Sequence, residues 1–314
     1  MLTEIHPDPE RTLSHAHMRE IVNHALAQGF TGLGIVSFLL GQEIKLLIQD
    51  GSIRDILLND NRQKRHFPGE KYQDADFFEA MRMGQLRLFK APGRFLLFER
   101  ACFDTKEQET LRGVKNAELK SLFLELEKQE SATVVALRWN DARVYVMVPG
   151  STLSLRRAVF INGTEVVLDD SALSLMAHWQ EPRYDVATYR GGLQTETWIA
   201  LHLNVLFEHF CESLLNQYGY LTGKVMVNSM ARNLVHTANK NRCDLSATSS
   251  QVQDMTLFAS LSDTVVAYKT LLDFLDTQME SVVGSNFLKS AKKQSLDPLN
   301  PFYINLARFY GFNF

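Results

Sequence analysis

The chain has 314 residues, enough for two or three domains, and its 45% hydrophobic and 22% charged residues are typical of a globular protein. The formal net charge of -3 excludes the strongly basic proteins that bind polyanions through charge alone. Cys102, Cys211 and Cys243 lie far apart, which argues against a zinc site or a disulfide framework.

The longest apolar stretches fall far short of the roughly 20 residues that a membrane helix needs. Residues 1–11 carry charges and prolines rather than the apolar run of a signal peptide. We therefore expect a cytoplasmic protein with no membrane span.

The N-terminal third alternates between helical and strand patterns. Ser14 is a good helix cap, and the apolar spacing after it predicts a helix that Gly29 ends. Asp50-Gly51 predicts a tight hairpin turn, and Asn59–Gln73 is interpreted as a polar loop. A short helix is predicted over Phe77–Met83. The predicted strands are Gly32–Phe38, Glu43–Gln49, Ile53–Leu58, Gln85–Lys90 and Arg94–Glu99.

A second passage repeats this order. Ala117–Gln129 has the spacing of an amphipathic helix, and a further short helix is predicted from Asp170 to Ala177. The predicted strands are Ala132–Arg138, Ala142–Val148, Leu155–Ile161 and Tyr184–Tyr189. We interpret the repeat as a duplicated small domain, with two unrelated units as the alternative.

From Thr195 onward the β-branched alternation stops and helical periodicity begins. Ser262 is predicted to cap a long helix that ends at Gly284. The predicted fold is therefore α+β: two tandem small α/β units, each helix-strand-strand-strand-helix-strand, followed by an all-α C-terminal segment. The predicted domains are residues 1–103, 114–192 and 195–314.

The first unit resembles the PATAN domain, a family named for the N-terminal region of a cyanobacterial response regulator. Thr31-Gly32 opens a strand, Gly41 makes a turn, and Asp50-Gly51 ends the next strand. Gly84-Gln85-Leu86-Arg87-Leu88-Phe89 is similar to the family's later glycine and aromatic pattern. The resemblance covers about residues 13–100, with a weaker second copy over about 116–191. It implies a protein-interaction module of bacterial signalling without enzymatic activity.

No local motif indicates chemistry. The sequence lacks a Gly-x-Ser-x-Gly elbow, a Gly-Lys-Ser/Thr phosphate loop and the dinucleotide fingerprint. His209 and Glu212 are three residues apart and could share a helix face, but a dimetal site would need Glu-x-x-His on two helices and further glutamates. We therefore predict no catalytic residues, no cofactor and no metal ligands.

Two segments are candidates for interaction. The first is the basic run over residues 62–71, with aromatic side chains interleaved as in nucleic-acid binders. The second is the aromatic C-terminal tail, which either packs on its own helices or forms an interface. The candidate residues are Arg62, Lys64, Arg65, Phe67 and Tyr72 in the first segment and Phe309, Tyr310, Phe312 and Phe314 in the second.

The sequence thus favours a non-enzymatic bacterial signalling or regulatory adaptor that acts by protein–protein interaction. Its partner would be another protein or a second copy of the chain as a homodimer, and we do not expect nucleic acid. One alternative is an enzyme with a non-local site at a domain boundary, near His202, His209 and Arg190. The other is a nucleic-acid-binding accessory protein that uses the basic run.

Overall fold

The computed structural model describes residues 13–38, 41–60, 63–74, 83–129, 132–139, 142–149, 157–161, 164–168, 183–299 and 301–312. The chain forms two compact units. The first contains the chain up to Ser121 with Val134–Met147 and Ala158–Arg190; the second contains Leu122–Thr133, Val148–Arg157 and the chain from Gly191 onward. Helices and strands are both present, so the α+β class is confirmed. The three predicted domain boundaries stay a prediction.

Six strands among the described residues form the first sheet, and each is antiparallel to its neighbours. They are β1 (Leu13–Ser14), β2 (Gly32–Phe38), β3 (Glu43–Gln49), β4 (Ser52–Asp60), β5 (Gln63–Pro68) and β6 (Met83–Lys90). Helix α1 (His15–Ala27) buries Met18, Val22 and Ala25 in one core with alternate residues of the sheet. Each such side chain contributes roughly 1.5–3 kcal/mol through burial.

The predicted hairpin turn at Asp50-Gly51 is confirmed. Gln49 pairs with Ser52, and both turn residues have positive φ, as a type I′ turn requires. The Thr31 hydroxyl accepts a hydrogen bond from the Asp50 amide, at 2.9 Å. The Thr31-Gly32 pair at the start of β2 is thereby tied to the turn.

The second sheet also has six strands among the described residues. They are β7 (Glu107–Val114), β8 (Thr133–Trp139), β9 (Ala142–Val148), β10 (Arg157–Ile161), β11 (Thr164–Leu168) and β12 (Tyr184–Arg190), and helix α3 (Asn116–Glu127) lies between β7 and β8 in the chain. The spatial order is β7-β12-β8-β9-β10-β11, while the first sheet has the order β1-β6-β2-β3-β4-β5. Counted from its own first strand, each sheet therefore has the order 1-6-2-3-4-5.

Helix α2 (Gly93–Asp104) corrects one prediction, because Arg94–Glu99 was predicted as a strand. Every residue from Gly93 to Phe103 is buried. A helix that is covered on all sides shows no polar face and hence no helical periodicity in its sequence. Its short apolar run was therefore mistaken for a buried strand.

Three further differences concern short or polar elements. The predicted loop Asn59–Gln73 contains β5 and a 3-10 helix, Gly69–Gln73. Strands β7 and β11 were not predicted, since β7 is a largely exposed strand with charged residues. The short helix predicted over Phe77–Met83 lies outside the described residues except for Met83, which begins β6. The helix predicted over 170–177 lies outside them entirely.

The second unit is mainly helical, as predicted for the chain beyond Thr195. Its helices are α4 (Glu196–Thr222), α5 (Lys224–Lys240), α6 (Leu261–Val283), α7 (Ser285–Leu296) and α8 (Pro301–Phe309). Ser260, not Ser262, caps α6 by accepting a hydrogen bond from the Asp263 amide. The polar stretch before it contains a small hairpin of β13 (Leu245–Ala247) and β14 (Val252–Asp254). The prediction that residues 195–314 are all-α was therefore wrong for this stretch.

Side chains of α4 complete the backbone hydrogen bonding of this hairpin. Glu208 accepts a hydrogen bond from the Asp254 amide at 2.6 Å, and Glu212 accepts one from the Val252 amide at 2.9 Å. The buried Asp254 carboxylate in turn accepts hydrogen bonds from the Tyr268 hydroxyl and the Asn204 amide. Each buried polar group named here therefore has a partner, as a stable core requires.

No helix in the described part of the chain has the length and apolar character that crossing a membrane would take.

Candidate functional site

Helix α2 carries a buried carboxylate that joins the two sheets of the first unit. The Glu99 side chain contacts the Lys45 ammonium on β3 at 2.6 Å and the Arg143 guanidinium on β9 at 3.1 Å. Burial by itself would raise the pKa of Glu99, but these two cations and the hydrogen bonds from Lys45 and Tyr145 lower it to about 2. Glu99 is therefore ionised at neutral pH.

A second charged cluster ties the end of α2 to the first sheet. The Arg100 guanidinium contacts Asp55 at 3.0 Å. The His66 imidazole lies between Asp55, at 2.7 Å, and Asp104, at 3.2 Å. Burial opposes the charged imidazolium, but the hydrogen bonds to Asp104 and Asp55 raise the pKa of His66 to about 9. His66 is thus a cation whose partners are internal.

Beside α2 lies a cavity of about 320 Å³, here called the charged cavity. The face of the first sheet that carries Lys45 and Lys64 forms one wall, and β7, β8 and β12 form the opposite wall. The buried side chains of Cys102 and Tyr145 also line it. Its charged lining residues are Glu43, Lys45, Lys64, Glu99, Glu107, Arg112, Arg138 and Asp185.

Cys102 is the thiol that lines the charged cavity. Burial, and then the neighbouring Glu99 carboxylate, raise the pKa of Cys102 well above its ordinary value. The thiol stays protonated at neutral pH and is a poor nucleophile.

An apolar surface lies at the turn between α4 and α5. Tyr220 is 97% exposed and Val225 80% exposed, and Leu221 and Met226 are exposed beside them. We call these four residues the hairpin patch. Helix α5, which begins next to it, carries the exposed cations Lys224, Arg232 and Lys240 and contains no Asp or Glu.

The basic run is only partly available for binding. Lys64 donates a hydrogen bond to the Phe103 carbonyl and lies 5.4 Å from the centre of the Phe103 ring. Arg65 is exposed on β5, Phe67 packs against the first core and Tyr72 is buried. Arg62 lies outside the described residues. The interleaved aromatic side chains are therefore not a surface for stacking bases.

The aromatic tail packs mostly on its own unit. Phe312 is buried and Tyr310 packs against the helical core, whereas Phe309 is 82% exposed. Phe314 lies outside the described residues. Of the three candidate tail residues that the structure describes, Tyr310 and Phe312 therefore pack on the chain's own helices, and Phe309 does not.

The histidines of the enzyme alternative have structural partners. The buried His202 ring contacts the Tyr303 hydroxyl at 3.0 Å, and burial lowers the pKa of His202 to about 4. His209 contacts the Ser295 carbonyl oxygen at 3.3 Å, and Arg190 is exposed at the end of β12. Within the described ranges no group of His, Cys, Asp and Glu side chains has the arrangement of a metal site.

Sequence reasoning missed both the charged cavity and the hairpin patch. The cavity draws residues from eight elements, so its residues share no local spacing. One signal was present: Arg94, Glu99 and Arg100 interrupt an otherwise apolar run, which indicates charges held inside a core.

Comparison with protein-family models, with curated proteins and with solved structures gives no significant match.

Proposed function

We propose that the protein is a non-enzymatic signalling adaptor that binds another protein through the hairpin patch and the exposed cation Arg232 on α5. The observation that carries this proposal is the nearly complete exposure of Tyr220 and Val225. Contiguous exposed apolar residues on a folded unit commonly mark an interaction site, and tyrosine is enriched in such sites.

The charge of α5 defines the chemistry of the partner. Lys224, Arg232 and Lys240 follow one another at intervals of eight residues, which corresponds to about 12 Å along a helix. Eight residues also turn a helix by about 80°, so the three cations spread over about 160° of α5. Arg232 is seven residues after the exposed Val225 and so lies on the same side of α5. An acidic amphipathic helix along this side would meet the apolar patch and then Arg232. We therefore propose an acidic amphipathic segment of a second protein as the occupant.

Two other occupants fit less well. A symmetric homodimer would place α5 against α5 and so bring like charges together. If the hairpin patch inserted end-on into a membrane, Arg232 and Lys240 would lie roughly 12 and 24 Å along α5 from Lys224 and so away from the membrane surface. That is beyond the screening length of about 8 Å at physiological salt.

The shared 1-6-2-3-4-5 strand order supports a second part of the proposal, that the two sheet-containing segments descend from a duplicated unit. A PATAN-type interaction module fits the adaptor role and remains part of this proposal.

Photo-crosslinking in the native host tests the adaptor proposal. With p-benzoylphenylalanine in place of Tyr220, irradiation should link the chain to one protein through an acidic amphipathic segment. The same amino acid in place of Thr270, which is exposed on α6, should give no such product. Arg232→Glu should lower the yield at least about tenfold, equivalent to about 1.4 kcal/mol. Asp273→Lys on α6 should leave it unchanged.

Each other result would contradict the proposal. A product with a second copy of the chain would assign the patch to a homodimer, and a product with lipid would assign it to a membrane. A captured protein whose linked segment is neither acidic nor amphipathic, or the absence of any product, would reject the adaptor interface.

A further inference from the structure

The charged cavity has two walls that come from different sheets. Its volume of about 320 Å³ is at the lower end of the roughly 300–1,000 Å³ found for small-molecule sites. It therefore suits a molecule smaller than a dinucleotide cofactor.

The wall formed by the second sheet has small side chains at its centre and charges towards its ends. Ala187 on β12 pairs with Thr110 on β7, and both line the cavity together with Ala136. Tyr189 pairs with Glu107, and the Tyr189 hydroxyl donates a hydrogen bond to the Glu107 carboxylate. The central residues leave room for a ligand to lie along the strands.

Cations from both walls line the charged cavity together with the Cys102 thiol. Burial and Glu99 raise the pKa of Cys102, while the charges of Lys45, Lys64 and Arg138 act in the opposite direction. Three cations from two sheets thus lie near the Cys102 thiol. Lys45 is occupied by Glu99, whereas Lys64 donates to a neutral carbonyl and keeps an uncompensated charge in that contact.

A carboxylate lies further along β12. Asp185 lines the same cavity, and its Oδ1 accepts a hydrogen bond from the Gly113 amide at 3.3 Å. Asp185 and the cations Lys64 and Arg138 thus line one cavity whose volume admits a molecule of about dipeptide size.

We propose that the charged cavity binds a free dipeptide. The ligand's carboxylate lies between Lys64 and Arg138, and its ammonium group pairs with Asp185. Ala136, Ala187 and Thr110 make room for its side chains.

Glu43, Glu107 and Asp185 line the same cavity as these cations. Their negative charges disfavour a polyanion such as a nucleotide, because like charges that share a site repel each other. A ligand with one positive and one negative end therefore matches the mixed charges of the lining better than an anion does.

Three equimolar libraries test the proposal with the full-length protein: free dipeptides, N-acetylated dipeptides and C-amidated dipeptides. Native mass spectrometry identifies bound members, and calorimetry measures their Kd. We expect members of the free library to bind and the two blocked forms of the same members to bind at least about tenfold more weakly, because each has lost one charge-assisted contact.

Variants at the two ends locate the site. Arg138→Met should weaken the free dipeptide at least about tenfold but should not further weaken the C-amidated form. Asp185→Asn should likewise weaken binding of the free dipeptide, by removing the partner of its ammonium group, but should not further weaken binding of the N-acetylated form. Both positions are exposed, so folding should be preserved. Arg65→Met, beside Lys64 on β5 but outside the cavity lining, is the matched control and should bind normally.

The proposal is rejected if no free dipeptide binds, or if blocked and free forms bind equally. Binding that Arg138→Met and Asp185→Asn both leave unchanged rejects this cavity as the site. Binding of AMP or citrate in place of dipeptides assigns the cavity to anions instead. These outcomes are independent of the crosslinking experiment, which concerns the other compact unit.

Discussion

Glu99 carries a full negative charge at a position with 1% of its side chain exposed. Lys45 and Arg143 compensate it from two different sheets. Such a buried ion pair adds little net stability, but it constrains how the two sheets pack on α2. Any other arrangement would leave a buried charge without a counter-charge.

Glu99→Gln should therefore destabilise the protein strongly. The amide leaves Lys45 and Arg143 without their shared counter-charge, and breaking a buried pair in this way costs about 3–5 kcal/mol. Glu43→Gln is the control: Glu43 is 30% exposed and 3.8 Å from Lys45, so its loss should cost less than about 1 kcal/mol. Urea unfolding at pH 7 measures both, and equal effects would contradict the assignment.

The same pair of variants should differ in acid. The pKa of Glu99 is about 2 in the folded chain and 4.5 ordinarily, so its stabilising contribution is complete above about pH 4.5 and is lost as the pH falls towards 2. The shift corresponds to roughly 3 kcal/mol. Unfolding free energies between pH 5 and pH 2.5 should fall less steeply in Glu99→Gln than in the parent.

At the scale of elements, the Asp50-Gly51 turn offers a matched comparison of two glycines. Gly51 has φ 70° and a Cβ there would overlap the Leu26 carbonyl oxygen, whereas Gly29 has φ 71° and open space around it. Gly29→Ala should cost about 1–2 kcal/mol from backbone strain alone. Gly51→Ala should cost about 1–3 kcal/mol more, from steric overlap. Thermal unfolding measures the difference, and equal costs would show that α1 moves aside.

The elements that were predicted correctly from the sequence have one solvent-exposed face and one buried face. The face of α1 through Met18 and Val22, the hairpin at Asp50-Gly51 and the long helix α6 are examples. The wrongly predicted strand Arg94–Glu99 is part of a helix that is dry on every side. Strand β5 carries charges that suggested a loop, but His66 and Lys64 use them to contact α2 and its C-terminal end.

On the scale of the whole molecule, neither candidate site follows from local patterns. The hairpin patch has an apolar sequence, yet its residues are exposed where Gly223 joins α4 to α5. The predicted surface aromatic Tyr72 is instead buried, because the 3-10 helix turns it inward. Surface and core are decided here by tertiary contacts that a single sequence does not contain.

Two cores allow the two compact units to be tested separately. Ile56→Ala removes a fully buried side chain from the first unit and Leu214→Ala removes one from the second. Each should cost about 2–5 kcal/mol. Hydrogen exchange followed by mass spectrometry should accelerate mainly in the unit that carries the substitution, since local stability follows local packing. Equal acceleration in both units would mean that they unfold as one.

The single residue Gly223 joins α4 to α5, and Gly284 joins α6 to α7 with almost the same φ and ψ. A junction of one residue leaves no slack, so the rotational phase of α5 about its own axis is inherited from α4. One inserted residue would turn α5 by about 100° relative to α4. It would thereby change how Val225 and Met226 on α5 are placed against Tyr220 and Leu221 on α4. Loops usually tolerate insertions, but the junction at Gly223 fixes the rotation of α5 relative to α4. The proposed interface should therefore be lost when a residue is inserted at this junction.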